Sequence, residues 1–353
     1  MKTFGLGLVG CGGMGRSLAV SANEIGTLEL NTNEKTDGTS VAVKVISVCD
    51  TNPSLSKKLS QDIGSEMTTN YLDLLEDSRI NAILIATPPF LHKSIAVDSA
   101  TAGKHVFTEK PMATSLVDCD HMIQAAQSNG IQLGVGLVCR FHAVHSKVRE
   151  LVHSGQYGRP ISMKVHRTGG PWPGELGHWR MKREECGGFL MEVNAHEIDF
   201  MRWTLSINDF DHITRVYASG GRYLQENSDY ADLVFLNMTL SNGTTGFLHA
   251  GQVSAAGEYG GSVDCEQASI HFPNIWGANS AIEIRTFDSH SETILAQDIL
   301  IESPVKAEIQ AFVEAILENR SVPVTGIDGR AATEIALAAY DSIDSGRAIS
   351  LPL

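Results

Sequence analysis

The sequence contains no Cys-x-x-Cys pair. Its six cysteines, at 11, 49, 119, 139, 186 and 265, are scattered, which indicates neither a disulfide framework nor a zinc site; a reducing, cytoplasmic setting is expected. Positive charge is scarce too: 27 Lys and Arg stand against 41 Asp and Glu, a net charge of −14. That balance disfavours nucleic acid or an anionic membrane as a partner. No apolar run approaches the roughly 20 residues that span a bilayer. The apolar N-terminus carries only Lys2 and runs into a glycine motif, unlike a signal peptide. Internal repeats and low-complexity tracts are missing as well. What is there, 353 residues with 42% hydrophobic side chains, suffices for two domains with full cores.

The first strong motif is Phe4-Gly-Leu-Gly-Leu-Val-Gly10-Cys-Gly12-Gly13-Met14-Gly15-Arg16. An apolar run ends in Gly-x-Gly-x-x-Gly, and a helical pattern follows with Leu18, Ala22 and Ile25 on one face. The order suits a dinucleotide. Gly10 permits the tight turn, Gly12 lets backbone approach a pyrophosphate, and Gly15 lets helix pack on strand. The phosphates would lie on unpaired amides at the helix start, from Gly12 to Met14. The alternative is a plain strand–helix turn.

A polar stretch, Glu29 to Ser40, reads as a surface loop or small insertion. The β-branched run Val41–Cys49 then ends at Asp50, where the motif needs an acid for the adenosine ribose hydroxyls. The inserted stretch explains why Asp50 lies farther from Gly15 than the roughly 20 residues of the compact motif. Asp50-Thr-Asn-Pro53 offers no Arg for a 2′-phosphate, and a carboxylate repels one, so NAD is expected over NADP. The rival is an Asp that only caps the next helix. Further strands are predicted over Ala82–Thr87, His105–Glu109 and Leu133–Val138, alternating with helical patterns, one of them opened by a capping-box-like Ser115-Leu-Val-Asp118. Such alternation implies a doubly wound parallel sheet, with ligands at the strand ends. Asp50, Thr87, Pro88, His92, Glu109 and Lys110 all lie at or just beyond such ends.

In the second half, Val144, Val148, Leu151 and Val152 share one face of a linking helix. Its histidines 142, 145 and 153 are expected at surface and interdomain positions. Pro160–Thr168 alternates as a half-buried strand; Arg167 at its end either snorkels outward or contacts a ligand. The loop Gly169–Arg183 is rich in Pro, Gly, Trp and Arg. The faces of Trp172 and Trp179 suit sugar C–H faces, and Arg180 suits hydroxyl pairs or an anionic substituent; the alternative is a Trp-anchored structural loop. Cys186-Gly-Gly-Phe-Leu-Met-Glu192-Val-Asn194-Ala-His196-Glu-Ile-Asp199 reads as a loop entering a helix, with Glu192, His196 and Asp199 at i, i+4 and i+7 on one face. A neutral imidazole with a carboxylate one turn away is suited to take a hydroxyl proton. Three metal ligands on that face are a weaker reading, since no further His or Cys motif supports them. Asp199 reads as a helix-packing hydrogen bond. Short alternating runs at Ala231–Leu240, Thr245–Ala250 and Ala281–Arg285 predict an antiparallel sheet, and Pro304–Leu317 and Gly329–Ile343 predict two closing helices.

Three stretches, GLVGCGGMGR, ILIATPPFLHKSIAVDSATAGKHVFTEKPMA and GVGLVCRFH, in this order and spacing, resemble the glucose–fructose oxidoreductase/inositol dehydrogenase family (Gfo/Idh/MocA), over nearly the whole chain. The resemblance implies a Rossmann domain (1–138) joined to a C-terminal α+β domain (139–353) with an open, mostly antiparallel sheet, onto whose partner domain the closing helices can pack back. It implies oxidation of a secondary hydroxyl of a sugar, polyol or glycoside with NAD(P), of which Asp50 favours NAD, and a homodimer or homotetramer through the open sheet face. Lys110 of Glu-Lys-Pro would hydrogen-bond the reacting oxygen and steady charge there; Glu109 would orient lysine and nicotinamide. His196 would be the base, with Asn194 nearby. Glu192 stands where inositol dehydrogenase-like members have Asp, which leaves open whether it touches substrate, orients His196, or both. Two alternatives are an NAD-dependent redox glycosidase, working by oxidation, elimination and reduction, for instance on an acidic or sulfonated sugar, and a non-catalytic NAD/sugar-sensing regulator.

Overall fold

The computed structural model describes residues 2–30, 39–172, 178–277, 280–299 and 303–353. The chain divides into two compact units, Met1–Val138 with Glu302–Arg330, and Cys139–Ile301 with Ala331–Leu353.

The first unit runs β1 (Lys2–Val9), α1 (Gly13–Ile25), β2 (Thr27–Leu30), β3 (Thr39–Cys49), α2 (Pro53–Ile63), β4 (Glu66–Thr68), α3 (Leu72–Glu76), β5 (Ala82–Ile85), α4 (His92–Thr101), β6 (His105–Glu109), α5 (Leu116–Ser128) and β7 (Leu133–Gly136). Among the described residues these seven strands form one sheet, ordered β2-β3-β1-β5-β6-β7, with β4 also paired to β3. Every pairing is parallel except β2 with β3. β5 is buried at all four positions, as a strand covered on both faces must be. The order reverses at β1, which has β3 on one side and β5 on the other, and this opens a crevice at the strand ends.

Two local expectations change. The polar stretch Glu29 to Ser40 is not all loop, because Leu28–Leu30 pairs antiparallel with Thr39–Val41; residues 31–38 lie outside the described set. α2 is capped by Asn52, whose Oδ1 accepts from the Ser54 amide at 3.0 Å, with Pro53 opening the helix. Asp50 is therefore not the cap. Ser115 does cap α5, accepting from the Asp118 amide at 3.1 Å.

The second unit contains α6 (Ala143–His153), β8 (Pro160–Thr168), the single turns α7 (Arg183–Cys186) and α8 (Phe189–Glu192), α9 (Ala195–Leu205), β9 (Ile213–Gly221), β10 (Leu233–Leu240), β11 (Thr245–Gly251), β12 (Glu258–Cys265), β13 (Ala268–Asn274), β14 (Ala281–Thr286) and β15 (Ser291–Leu295). α10 (Pro304–Leu317) belongs to the first unit, the division falls within α11 (Gly326–Ser345), and β16 (Ile349–Ser350) ends the second. The described strands of this unit form a nine-stranded sheet, β15-β14-β13-β12-β8-β11-β10-β9-β16. Only β8 with β11 is parallel. Met163, Val165, Val234, Leu236, Leu248, Val263 and Ile270 are buried under α6 and α9 side chains such as Val148, Ile198 and Met201.

Candidate active site

In the first unit, the glycine loop shows two kinds of constraint. Gly10 has φ of +98°, and a Cβ there would lie 2.6 Å from the Ala86 carbonyl oxygen; a Cβ on Gly15 would lie 1.8 Å from that of Gly10. These two are glycine because backbone packs on backbone. Gly12 and Gly13 face nothing within 4 Å. The start of α1 has no side-chain cap and no acid in its first turn, and Met14 beside it is 39% exposed. First-turn amides thus point toward open space, a cradle for an anion.

Asp50 closes the loop from the β3 side. Its Oδ2 accepts from the Cys11 amide and its Oδ1 from the Asn52 amide, each at 2.8 Å. At the end of β5, Thr87 presents a buried hydroxyl without a hydrogen-bond partner. That orphaned group, the open cradle and the acid at the β3 end fit a dinucleotide. His92, expected to touch the cofactor, is fully buried and offers no exposed edge. Its ring spans from the Thr87 carbonyl (Nε2, 2.8 Å) to that of Pro111 (Nδ1, 3.0 Å). It holds the Thr87–Pro88 turn and the Lys110–Pro111 turn together. Cys11 and Cys49 are inert beside Asp50: burial first, and then the carboxylate, push their thiols up to about 12 and about 11.

Because the strands are parallel, Gly10, Asp50, Thr87 and the Glu109–Lys110 turn all emerge at the same end of the sheet. Glu109 is buried, accepts from the Lys110 amide at 3.2 Å, and lies against Gly136. The sequence reading missed Glu308 on α10. Phe312 packs edge-on against Phe107 with centroids 5.5 Å apart, and one turn earlier in the same stripe stands Glu308, both oxygens buried and unpartnered. Burial, reinforced by Glu109, pushes its carboxyl well above the usual range. The signal was present: the Phe312/Ile316 stripe, extended back one turn, lands on an acid.

In the second unit, the helix expected to carry Glu192, His196 and Asp199 is broken. Glu192 ends α8 and His196 is the second residue of α9, with Val193–Asn194 between the two helices. Upstream, Gly187 (φ 81°) and Gly188 (φ 79°) set where α8 begins, and a Cβ on Gly188 would lie 2.5 Å from the Tyr340 hydroxyl. A single face at i, i+4 and i+7 is therefore not what brings these residues together. Glu192 is buried and accepts from Arg180 Nε at 2.9 Å. Arg180 lies over Trp179 at 4.3 Å and Trp172 at 6.0 Å. Trp172 is fixed by its backbone, exchanging bonds with the Gln225 side chain at 2.9 and 3.2 Å. Residues 173–177 of this loop lie outside the described residues. Asp199 is a packing anchor, bound in two-pronged fashion by Arg140 at 2.7 Å for each bond.

His196 is half-buried. Next to it Glu197 is fully buried and accepts from Arg167 Nη1 (2.9 Å), Tyr259 Oη (2.6 Å) and Asn194 Nδ2 (2.8 Å). Burial opposes the charge on Arg167, and the Glu197 carboxylate prevails and raises it. His145, expected near the surface, is fully buried and lies 3.0 Å from the Tyr259 hydroxyl. Burial holds its ring well below the usual histidine range, hence neutral. Tyr259 gives its one hydrogen to Glu197, so His145 Nε2 is the donor to Tyr259. Among the described residues no group of His, Cys, Asp and Glu could hold a metal ion, and no helix is long and apolar enough to cross a membrane.

A nucleotide-type α/β sheet in one unit and an open, mostly antiparallel sheet in the other are the two parts found in one class of oxidoreductase, and the family comparison assigns the chain to it. The family model for the oxidoreductase family with an NAD-binding Rossmann fold matches residues 4–137, and that for the GFO/IDH/MocA C-terminal domain matches 145–271. The chain belongs to the Gfo/Idh/MocA family of oxidoreductases. It is 28% identical over 295 residues to the oxidoreductase YrbE of Bacillus subtilis (strain 168), covering 81% of this chain and 82% of that one. It is 25% identical over 325 residues to scyllo-inositol 2-dehydrogenase (NAD(+)) of the same organism, covering 87% and 89%. Levoglucosan dehydrogenase, solved with NADH and levoglucosan, has the same fold: TM-score 0.84 at 21% identity over the whole of both chains.

Proposed function

We propose that this protein is an NAD-dependent dehydrogenase that oxidises a secondary hydroxyl of a sugar or polyol. The observation that carries the reading is the row Gly10, Asp50, Thr87 and Glu109–Lys110 at one end of the first unit's sheet. The α1 amides from Gly12 to Met14 hold the pyrophosphate, and Asp50 binds the adenosine ribose and repels a 2′-phosphate, which favours NAD. Bound NAD supplies the hydride acceptor. Lys110 donates a hydrogen bond to the substrate oxygen and stabilises the negative charge that grows there. His196 takes the hydroxyl proton, a role that a neutral imidazole is suited to. Glu192, neutralised by Arg180, orients rather than accepts a proton, and Trp172, Trp179 and Arg180 frame the sugar. The relatives named for polyol oxidation support this substrate class.

The test is absorbance of reduced nicotinamide with NAD and a panel including scyllo-inositol, myo-inositol and levoglucosan. Turnover of at least one is expected, with NADP giving less. No turnover of any sugar, with NAD bound, would point to the sensing role instead. We also infer a homodimer or homotetramer through the open sheet face, where Phe235 stacks on His249 at 4.6 Å and on Phe247 at 6.1 Å and Tyr217 is 44% exposed. Light scattering that reports a monomer overturns that inference.

A further inference from the structure

Glu197 has no role in the chemistry above, yet this carboxylate next to the proposed base accepts three side-chain hydrogen bonds. It is completely buried, where an ionised group survives only if its oxygens are fully engaged. Its partners come from three elements: Asn194 from the start of α9, Arg167 from β8 and Tyr259 from β12. Arg167 and Tyr259 face each other in the β8–β12 register, so two paired strands grip one carboxylate.

The local geometry shows what the grip fixes. Asn194 is the N-cap of α9 and Glu197 its third residue, the spacing of a capping box. The Asn194 side chain nevertheless caps no amide of the helix; it donates to Glu197 instead. The box has turned inward, and what it ties down is the break between α8 and α9. His196 lies between Asn194 and Glu197, in the first turn. A short helix start following a break frays unless something holds it, and here a sheet-anchored carboxylate does. Behind it, His145 donates to Tyr259 and fixes the direction of the tyrosine hydrogen.

We propose that Glu197 is a positioning residue: held by Arg167, Tyr259 and Asn194, it sets the pose of the His196 ring. Arg167, a candidate for substrate contact, serves in this arrangement as its counter-ion. The inference rests on His196 being the base, so the experiment must separate the two.

The whole chain is compared as wild type, Glu197→Gln, Tyr259→Phe, His196→Ala and His196→Ala/Glu197→Gln, with NAD and the sugar of the panel that turns over best. Each variant is checked by thermal melting and NAD binding. Glu197→Gln is expected to lower kcat by about 10- to 100-fold, the scale of a misplaced group, with KM and NAD affinity unchanged. Tyr259→Phe, which removes the bond to Glu197 and the one accepted from His145 but leaves the carboxylate with Arg167 and Asn194, is expected to lose less in the same parameter. In the His196→Ala background Glu197→Gln is expected to cost nothing further, because its effect passes through the missing ring. Equal losses in both backgrounds, or none in either, overturn the proposal while leaving His196 as base. Full turnover by His196→Ala overturns the reading of His196, and this proposal with it. Nitrogen-15 spectra of the histidine rings, assigned through His196→Ala, need no substrate. Glu197→Gln should move or split the His196 signals and leave those of His212 in place; unchanged His196 signals overturn the proposal.

Discussion

Arg180 reaches Glu192 at 2.9 Å while its guanidinium lies over Trp179 at 4.3 Å. The carboxylate is buried and the guanidinium partly exposed, so the pair is asymmetric: losing the arginine takes a charged donor from a buried carboxylate, whereas losing the acid frees a partly solvated cation. Arg180→Ala is expected to lower stability by about 1–2 kcal/mol, read as the midpoint of urea unfolding. Adding Glu192→Gln should recover most of that loss. If the double variant is no more stable than the single, the pair does not hold this loop.

Asp50 works on two sides. Its oxygens take the Cys11 and Asn52 amides, and it stands at the β3 end where the ribose is proposed to bind. Hydrogen bonds to a charged group contribute about 1.5–3 kcal/mol, so Asp50→Ala is expected to weaken NAD binding by roughly 10- to 100-fold. NADP, already repelled, should lose little, and the NAD/NADP ratio should narrow. Titration by fluorescence reads both constants; an unchanged ratio removes Asp50 from cofactor selection.

How much of this was legible beforehand follows from the range of each interaction. The glycine loop, the parallel strands and β8 could be read because their signals are local: turn chemistry, β-branched runs and alternation. The β2 strand was hidden in a polar stretch, since an edge strand needs no continuous apolar pattern. The broken α8–α9 helix escaped because 3.6-residue spacing continues through Val193–Asn194, although the backbone leaves the helix at Asn194 (φ −94°, ψ 7°). The Glu197 cluster was equally invisible, as its partners come from α9, β8 and β12 and meet only in the folded unit. Glu308 was readable in principle, being an acid in an apolar stripe.

His196 and Lys110 carry different parts of the proposed chemistry, and their variants should differ. Removing a general base costs about 10²–10⁴-fold, and removing an oxyanion-type donor about 10²–10³-fold in kcat. His196→Ala and Lys110→Met are each expected to lose turnover on those scales while still binding NAD. A chromogenic glycoside supplied with excess NAD distinguishes the redox-glycosidase chemistry. Reduced nicotinamide should accumulate with little aglycone; aglycone released without it would replace the dehydrogenase reading.

Glu308 makes a prediction in stability rather than rate. Burial and the neighbouring Glu109 raise its folded-state pKa above the roughly 4.3 of an unfolded glutamate. The folded protein therefore binds a proton that the unfolded chain releases. That contribution is fully present below the unfolded pKa and is lost as pH rises through the folded one. Within the window the limiting slope is about 1.4 kcal/mol per pH unit. Glu308→Gln keeps a neutral side chain at every pH and escapes the loss. Its melting temperature relative to wild type should therefore climb as pH is raised from 4.5, then level off once the wild-type carboxyl ionises in the folded state. Glu109→Gln should lower the pH at which levelling occurs, because the neighbouring negative charge is gone. A difference between Glu308→Gln and wild type that stays constant from pH 5 to 9 would mean that Glu308 is ionised throughout, and its burial would then require a partner that α10 does not provide.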